Sequence, residues 1–141
     1  MANDGSDFAR SMSIATSGLR AQAGRMRVIS ENIANADSTA PTAGGDPYRR
    51  KVPTFSSALD RSLDAKVVAL GRIKPDQSSF RIKYEPSNPA ADQAGNVKYP
   101  NVNPVVEMTD MREAQRSYEA NLNIISATRR MIQRTLDILK A

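Results

Sequence analysis

The chain has 141 residues with no Cys, no His and no Trp, and its 20 Lys and Arg against 15 Asp and Glu give a net charge of +5. The missing Cys and His exclude disulfides and thiol catalysis, and remove the commonest zinc ligands and the commonest general base. With 40% hydrophobic but only 5% aromatic residues, burial has to rest on Leu, Ile, Val, Met and Ala, which favours packed helices over ring-lined pockets.

This length leaves room for one ordinary folding unit. The charge is uneven: residues 1 to 40 carry four Arg and four acids, residues 101 to 141 carry six bases and five acids, and the remaining excess of four lies between 41 and 100. Balanced ends and a basic middle are therefore expected. No apolar run approaches the roughly 18 residues needed to span a bilayer, and the polar start MANDGSD lacks the basic and apolar regions of a secretory signal. Any exit from the cytoplasm would take another route.

The first element reads as a helix from Ser6 to Asn35, with Ser6 or Asp7 as N-cap. Phe8, Met12, Ala15, Leu19, Met26, Ile29 and Ile33 step by fours and threes if Gln22 fills the missing slot. Such a heptad-like seam is narrower than the apolar stripe of a typical surface helix and requires a partner helix. Gly18 and Gly24 each weaken the isolated helix by about 1 kcal/mol relative to Ala.

Residues 36 to 102 change character. ADSTAPTAGGDP is a loop by its Pro, Gly and small polar content. FRIKYE alternates cleanly and reads as a half-buried strand, with Phe80, Ile82 and Tyr84 on the buried face and Arg81, Lys83 and Glu85 on the other. Tyr48, Arg50 and Val52 and the run KVVALGRI are weaker strand candidates, and YEPSNPAADQAGNVKYPNVNP reads as a long irregular connection.

The last element opens on Asn103 and Pro104, an N-cap and first-turn pair, and runs to Lys140 with no Gly or further Pro. Met111, Ala114, Tyr118, Leu122, Ile125, Ile132, Leu136 and Leu139 again step by threes and fours, and Arg129 takes the slot that breaks the series. The two helices would be roughly 45 and 55 Å long, too long for either to be buried in a globule of this size. The fold class is mainly α with a small β insertion: residues 1–40 and 103–141 pair as a coiled-coil-like core, one folding unit, around an irregular, partly β segment of residues 41–102.

No residue set points to catalysis, a cofactor or a metal. Asp60 and Asp64 are a turn apart only if SSALDRSLD is helical, and nothing around them is of a kind to shift a pKa, so they read as a solvated face. Gly44 and Gly45 lack the Lys-Ser or Lys-Thr of a P-loop, and no Ser sits in a nucleophile elbow. Arg49, Arg50 and Lys51, with Arg72, Lys74, Arg81 and Lys83, raise the alternative of a small basic nucleic-acid-binding module. The patch lacks interleaved aromatics, so a solvated or protein-facing surface is the preferred reading.

The expected assembly surface is the pair of seams. On the first helix it comprises Leu19, Gln22, Met26, Ile29, Asn32, Ile33 and Asn35; on the second, Met111, Tyr118, Asn121, Leu122, Ile125, Ile132 and Leu136. Asn32 and Asn35 have two readings, as residues that end a helix or as amides that set register between subunits together with Gln22 and Asn121. The methionines suit packing that must serve several non-identical positions.

SGLRAQAGRMRVISENIANADST, from Ser17 to Thr39, closely resembles the N-terminal signature of the flagellar rod and hook family, and NVNPVVEMTDMREAQRSYEANLNII, from Asn101 to Ile125, resembles its C-terminal signature. Order, spacing and length are similar to a short proximal-rod member, with another proximal-rod member as the alternative within the family. The resemblance implies a structural subunit whose terminal helices line the axial structure while the central segment faces outward. It implies as partners further copies of the chain, other rod proteins, proteins of the membrane-ring junction and the flagellar type III export apparatus. The implied location is the periplasmic rod of the basal body, reached without a cleaved signal and without insertion into the membrane.

Overall fold

Among the residues described, 4–140 in the computed structural model, two long helices bracket three two-stranded ribbons in sequence. Helix α1 spans Asp4–Ala34 and α2 spans Pro104–Lys140. The strands are β1 Lys51–Val52, β2 Phe55–Asp60, β3 Ala65–Leu70, β4 Lys74–Pro75, β5 Arg81–Tyr84 and β6 Asn96–Tyr99, paired antiparallel as β1–β4, β2–β3 and β5–β6.

The helix ends follow from local chemistry. Asn103 accepts the Val105 N–H on Oδ1 at 3.1 Å and the Glu107 N–H on its carbonyl at 3.1 Å, capping α2 as its sequence leads one to expect. At the end of α1, Asn35 turns its amide back to the Glu31 carbonyl at 2.8 Å, and its own carbonyl accepts the Ser38 N–H at 3.2 Å. The start differs from expectation: α1 is already helical at Asp4, ahead of Ser6 and Asp7.

The chain divides into two compact units. One draws on Met1–Met26, Thr54–Arg72 and Glu113–Ala141. Within it, Arg25 pairs with Glu113 at 3.7 Å and Gly18 lies against Asn121, so the two helices run antiparallel. A Cβ at Gly18 would stand 2.8 Å from the Asn121 amide, and one at Gly24 would stand 2.7 Å from Leu70 Cδ2. Both glycines that weaken the isolated helix thus mark its points of closest approach. The buried side chains of this unit are small: Ala15, Ala21, Ala114 and Thr128.

The other unit draws on Arg27–Pro53 and Ile73–Arg112. It buries larger groups, among them Val28, Ile29, Val97, Tyr99 and Val102. Apolar burial of this kind is worth about 1.5–3 kcal/mol per side chain, against far less for Ala.

SSALDRSLD forms β2 and a reverse turn into β3, with Asp60 opposite Ala65 and Asp64 in the left-handed region at φ 46°, so the helical condition for setting the two carboxylates a turn apart is not met. Two expectations for the middle segment are corrected. NVKY, inside the stretch read as irregular, forms β6. The faces of β5 are inverted. Arg81 stands opposite Tyr99 and Lys83 opposite the fully buried Val97, so the charged residues share the inward face of the ribbon. Arg81 donates to the carbonyls of Ala36 at 2.9 Å and Pro100 at 3.1 Å, and the Lys83 ammonium sits 4.7 Å from the Tyr99 ring centroid. Ile82 and Tyr84, expected to be half-buried, are 67% and 71% exposed.

Candidate assembly site

The unit that contains the end of α1 and the start of α2 is organised by a buried polar clamp. Asn32, on the last turns of α1, is 1% exposed. Its Nδ2 donates to the Lys51 carbonyl at 2.8 Å and to Glu107 Oε2 at 3.0 Å, while Oδ1 accepts the Tyr48 hydroxyl at 2.8 Å and the Lys51 N–H at 2.9 Å. Both amide donors and both acceptor sites are therefore used within the chain. Glu107, in the first turn of α2 and 1% exposed, accepts the Arg50 Nε–H on Oε1 at 2.6 Å. Arg50 also faces Asp76 at 3.4 Å and Asp110 at 3.9 Å. Burial works against the Arg50 charge, but the hydrogen bond and charge of Glu107 outweigh it and hold the guanidinium pKa above its ordinary value.

The neighbouring cations are engaged as well. Lys51 pairs with Glu31. Arg49 lies 4.2 Å from the Phe80 ring centroid and donates to the carbonyls of Asp76 at 3.0 Å and Ser78 at 3.1 Å. The basic run that raises a nucleic-acid reading from sequence thus makes its contacts inside the chain.

Tyr48 provides a pH test of the clamp. Burial, reinforced by the carboxylates of Glu31 and Glu107, pushes its phenol from 10.0 up to about 12. A folded pKa raised above the unfolded one gives stability that is complete below pH 10 and is lost as pH rises toward 12. Urea midpoints measured from pH 9 upward should fall across that window and fall less in Tyr48→Phe. Parallel curves for the two proteins would contradict the assignment.

In the unit built on the outer parts of the helices, half-buried or buried positions on α2 form one line: Ala114, Tyr118, Asn121, Ile125, Thr128 and Ile132. Asn121 donates to the Ser117 carbonyl at 2.9 Å and rests over Gly18. On α1, Leu19, Gln22 and Met26 are half-buried, and Gln22 Oε1 is enclosed without a donor among the described residues. Leu122 and Leu136 lie off this shelter, 41% and 45% exposed. In the other unit, Ile29 is buried while Ile33, Asn35 and Met111 are half-buried.

Sequence reasoning missed Glu107 and Asn101, and it read Tyr48 and Arg50 only as parts of a strand and a basic run, not as members of the clamp. Asn101 Oδ1 accepts the Arg50 N–H at 2.8 Å and Nδ2 donates to the Asp76 carbonyl at 3.1 Å, holding the segment before α2. The signal that was present is a Glu in the first turn of α2, where the helix dipole favours a carboxylate. Among the described residues, no cluster of His, Cys, Asp or Glu forms a metal site, and no helix is long and apolar enough to cross a membrane.

These helix ends coincide with matches to known proteins. Residues 12–40 match the family described as Flagella basal body rod protein, and residues 93–138 match Flagellar basal body rod FlgEFG protein C-terminal. The chain is 53% identical over 128 residues to the flagellar basal-body rod protein FlgC of Agrobacterium fabrum, covering 91% of this chain and 92% of that one. It is 37% identical over 134 residues to FlgC of Aquifex aeolicus, covering 95% and 98%, and 38% identical over 145 residues to FlgC of Bacillus subtilis, covering 92% and 97%. The chain belongs to the FlgC family of flagellar basal-body rod proteins. A FlgC chain is a structural component of the rod and not an enzyme. The signatures that carry the resemblance in the sequence are thus the end of α1, with Asn32 and Asn35, and most of α2.

Proposed function

We propose that the chain polymerises through its terminal helices into the proximal part of the rod, the axial drive shaft of the flagellum. The observation that carries this reading is the exposed apolar series along α2: Leu122, Ile124, Met131, Leu136, Ile138 and Leu139 are between 41% and 77% exposed. A stable soluble monomer rarely leaves so much aliphatic surface on one helix, whereas a subunit buries it against neighbours. Leu122 and Leu136 meet those neighbours directly. Leu19, Gln22, Met26, Tyr118, Asn121, Ile125 and Ile132 keep α1 and α2 in register, and Ile29, Asn32, Ile33, Asn35 and Met111 hold the shape of the inner helix ends.

Ordering of the outer helix segments accompanies assembly. The small buried side chains of that unit support this, because Ala15, Ala21 and Ala114 bury little area against a backbone ordering cost of about 1–2 kcal/mol per residue. The partners are further copies, other rod proteins and proteins at the membrane-ring junction. The chain reaches the periplasm through the flagellar type III export apparatus without a cleaved signal. The test is rod formation by a chain carrying Leu122→Asp.

A further inference from the structure

The inner line of helix α2 continues past the positions that face the described residues of α1. Gly18 lies against Asn121 and Arg25 meets Glu113, so residue numbers on the two helices sum to 138 or 139 at each contact. The line that includes Ile125, Thr128 and Ile132 continues to Leu136 and Leu139. At that register these two stand opposite positions before Asp4, the first residue described, and they are 45% and 77% exposed. The same chain carries an unfilled groove between its helices, lined by Ser11, Ile14, Ala15, Asn121 and Ile124, with a volume of about 220 Å³. Ile14 and Ile124 are 45% and 47% exposed at its rim. A dry cavity of about 150 Å³ holds a benzene, so this groove takes one or two aliphatic side chains.

We propose that the last two turns of α2 from a second copy, led by Leu136 and Leu139, seat in this groove. Shape and polarity match: an aliphatic ridge on a helix meets an aliphatic trough between two helices. Charge matches too. Asp7 lies one turn before Ser11 on the groove side of α1; it pairs with Arg10 at 3.8 Å, yet its side chain stays 59% exposed and within reach of a second cation, and Lys140 follows Leu139 on the incoming helix. Groove and ridge are different surfaces, centred about fifteen residues or ~22 Å apart along α2. The contact is therefore heterologous: each copy offers both halves, and repetition extends along an axis instead of closing a dimer. This inference rests on the polymerisation reading above and adds which surfaces meet.

The chain has no Cys, so introduced pairs are unambiguous. Two differently tagged full-length copies, one with Ile124→Cys and one with Leu139→Cys, are co-expressed in flagellated cells, and isolated basal bodies are oxidised. A linked species carrying both tags, absent when either variant is expressed alone, is the expected result. A second pair, Ile14→Cys with Leu136→Cys, should behave alike. Homodimers of a single variant would show a symmetric contact and overturn the proposal. So would incorporation of both copies into rods without any two-tag species, which leaves polymerisation standing and assigns the groove to another protein. Absence of both variants and of the parent chain from rods would overturn this proposal together with the function it rests on.

Discussion

Glu107→Ala is expected to lower the stability of the unit built from Arg27–Pro53 and Ile73–Arg112 by about 3 kcal/mol, read as a fall in the urea midpoint at neutral pH. Removing one partner of a buried ion pair strands the other charge, at a cost of roughly 3–5 kcal/mol. Here Arg50 keeps Asp76 at 3.4 Å and Asp110 at 3.9 Å, which places the effect at the lower end of that range. Asn32 Nδ2 would retain only the Lys51 carbonyl. Asn32→Ala acts on the same network, so the double variant should lose less than the two single losses together. Glu107→Gln keeps the volume and an acceptor and should lose about half as much. A Glu107→Ala midpoint within error of the parent would remove the clamp from the account.

Leu122→Asp is expected to abolish rod formation while changing the free chain by only about 1–2 kcal/mol. Leu122 is already 41% exposed, so an aspartate there keeps much of its hydration in the monomer. In a packed tube the same carboxylate would be enclosed among aliphatic neighbours, a penalty of several kcal/mol that recurs in every copy. Basal bodies from cells carrying the variant should lack rods beyond the point where this chain enters, and the cells should not swim. The circular dichroism of the purified variant should match the parent. Intact rods containing the variant would mean that this face of α2 points away from neighbouring subunits.

The helices were legible because their signals are local and redundant. Asn103 and Pro104 begin α2, Asn35 ends α1, and each apolar series is broken at one slot, by Gln22 on α1 and Arg129 on α2. The middle segment was less so. Alternation in FRIKYE gave the period of β5 but could not say which face turns inward. That choice is made by carbonyls of Ala36 and Pro100 and by the Tyr99 ring, which draw Arg81 and Lys83 to the inner side. The β2–β3 hairpin was missed because its turn contains no Gly or Asn; Asp64 takes the left-handed conformation instead. The four-residue β6, set among Pro and Asn, is too short to show a period. Asn32 was singled out from sequence, but its partners are 19 and 75 residues away, and only the fold brings Lys51 and Glu107 to it.

The most direct test of the central claim is cryo-electron microscopy of basal bodies isolated from cells that carry this chain. Polymerisation through the terminal helices predicts copies of the chain in the proximal rod, with α1 and α2 antiparallel within each copy and the exposed apolar side chains of α2 enclosed by neighbours. A rod in which this chain is absent, or in which Leu122, Ile124 and Leu139 face solvent, would contradict it.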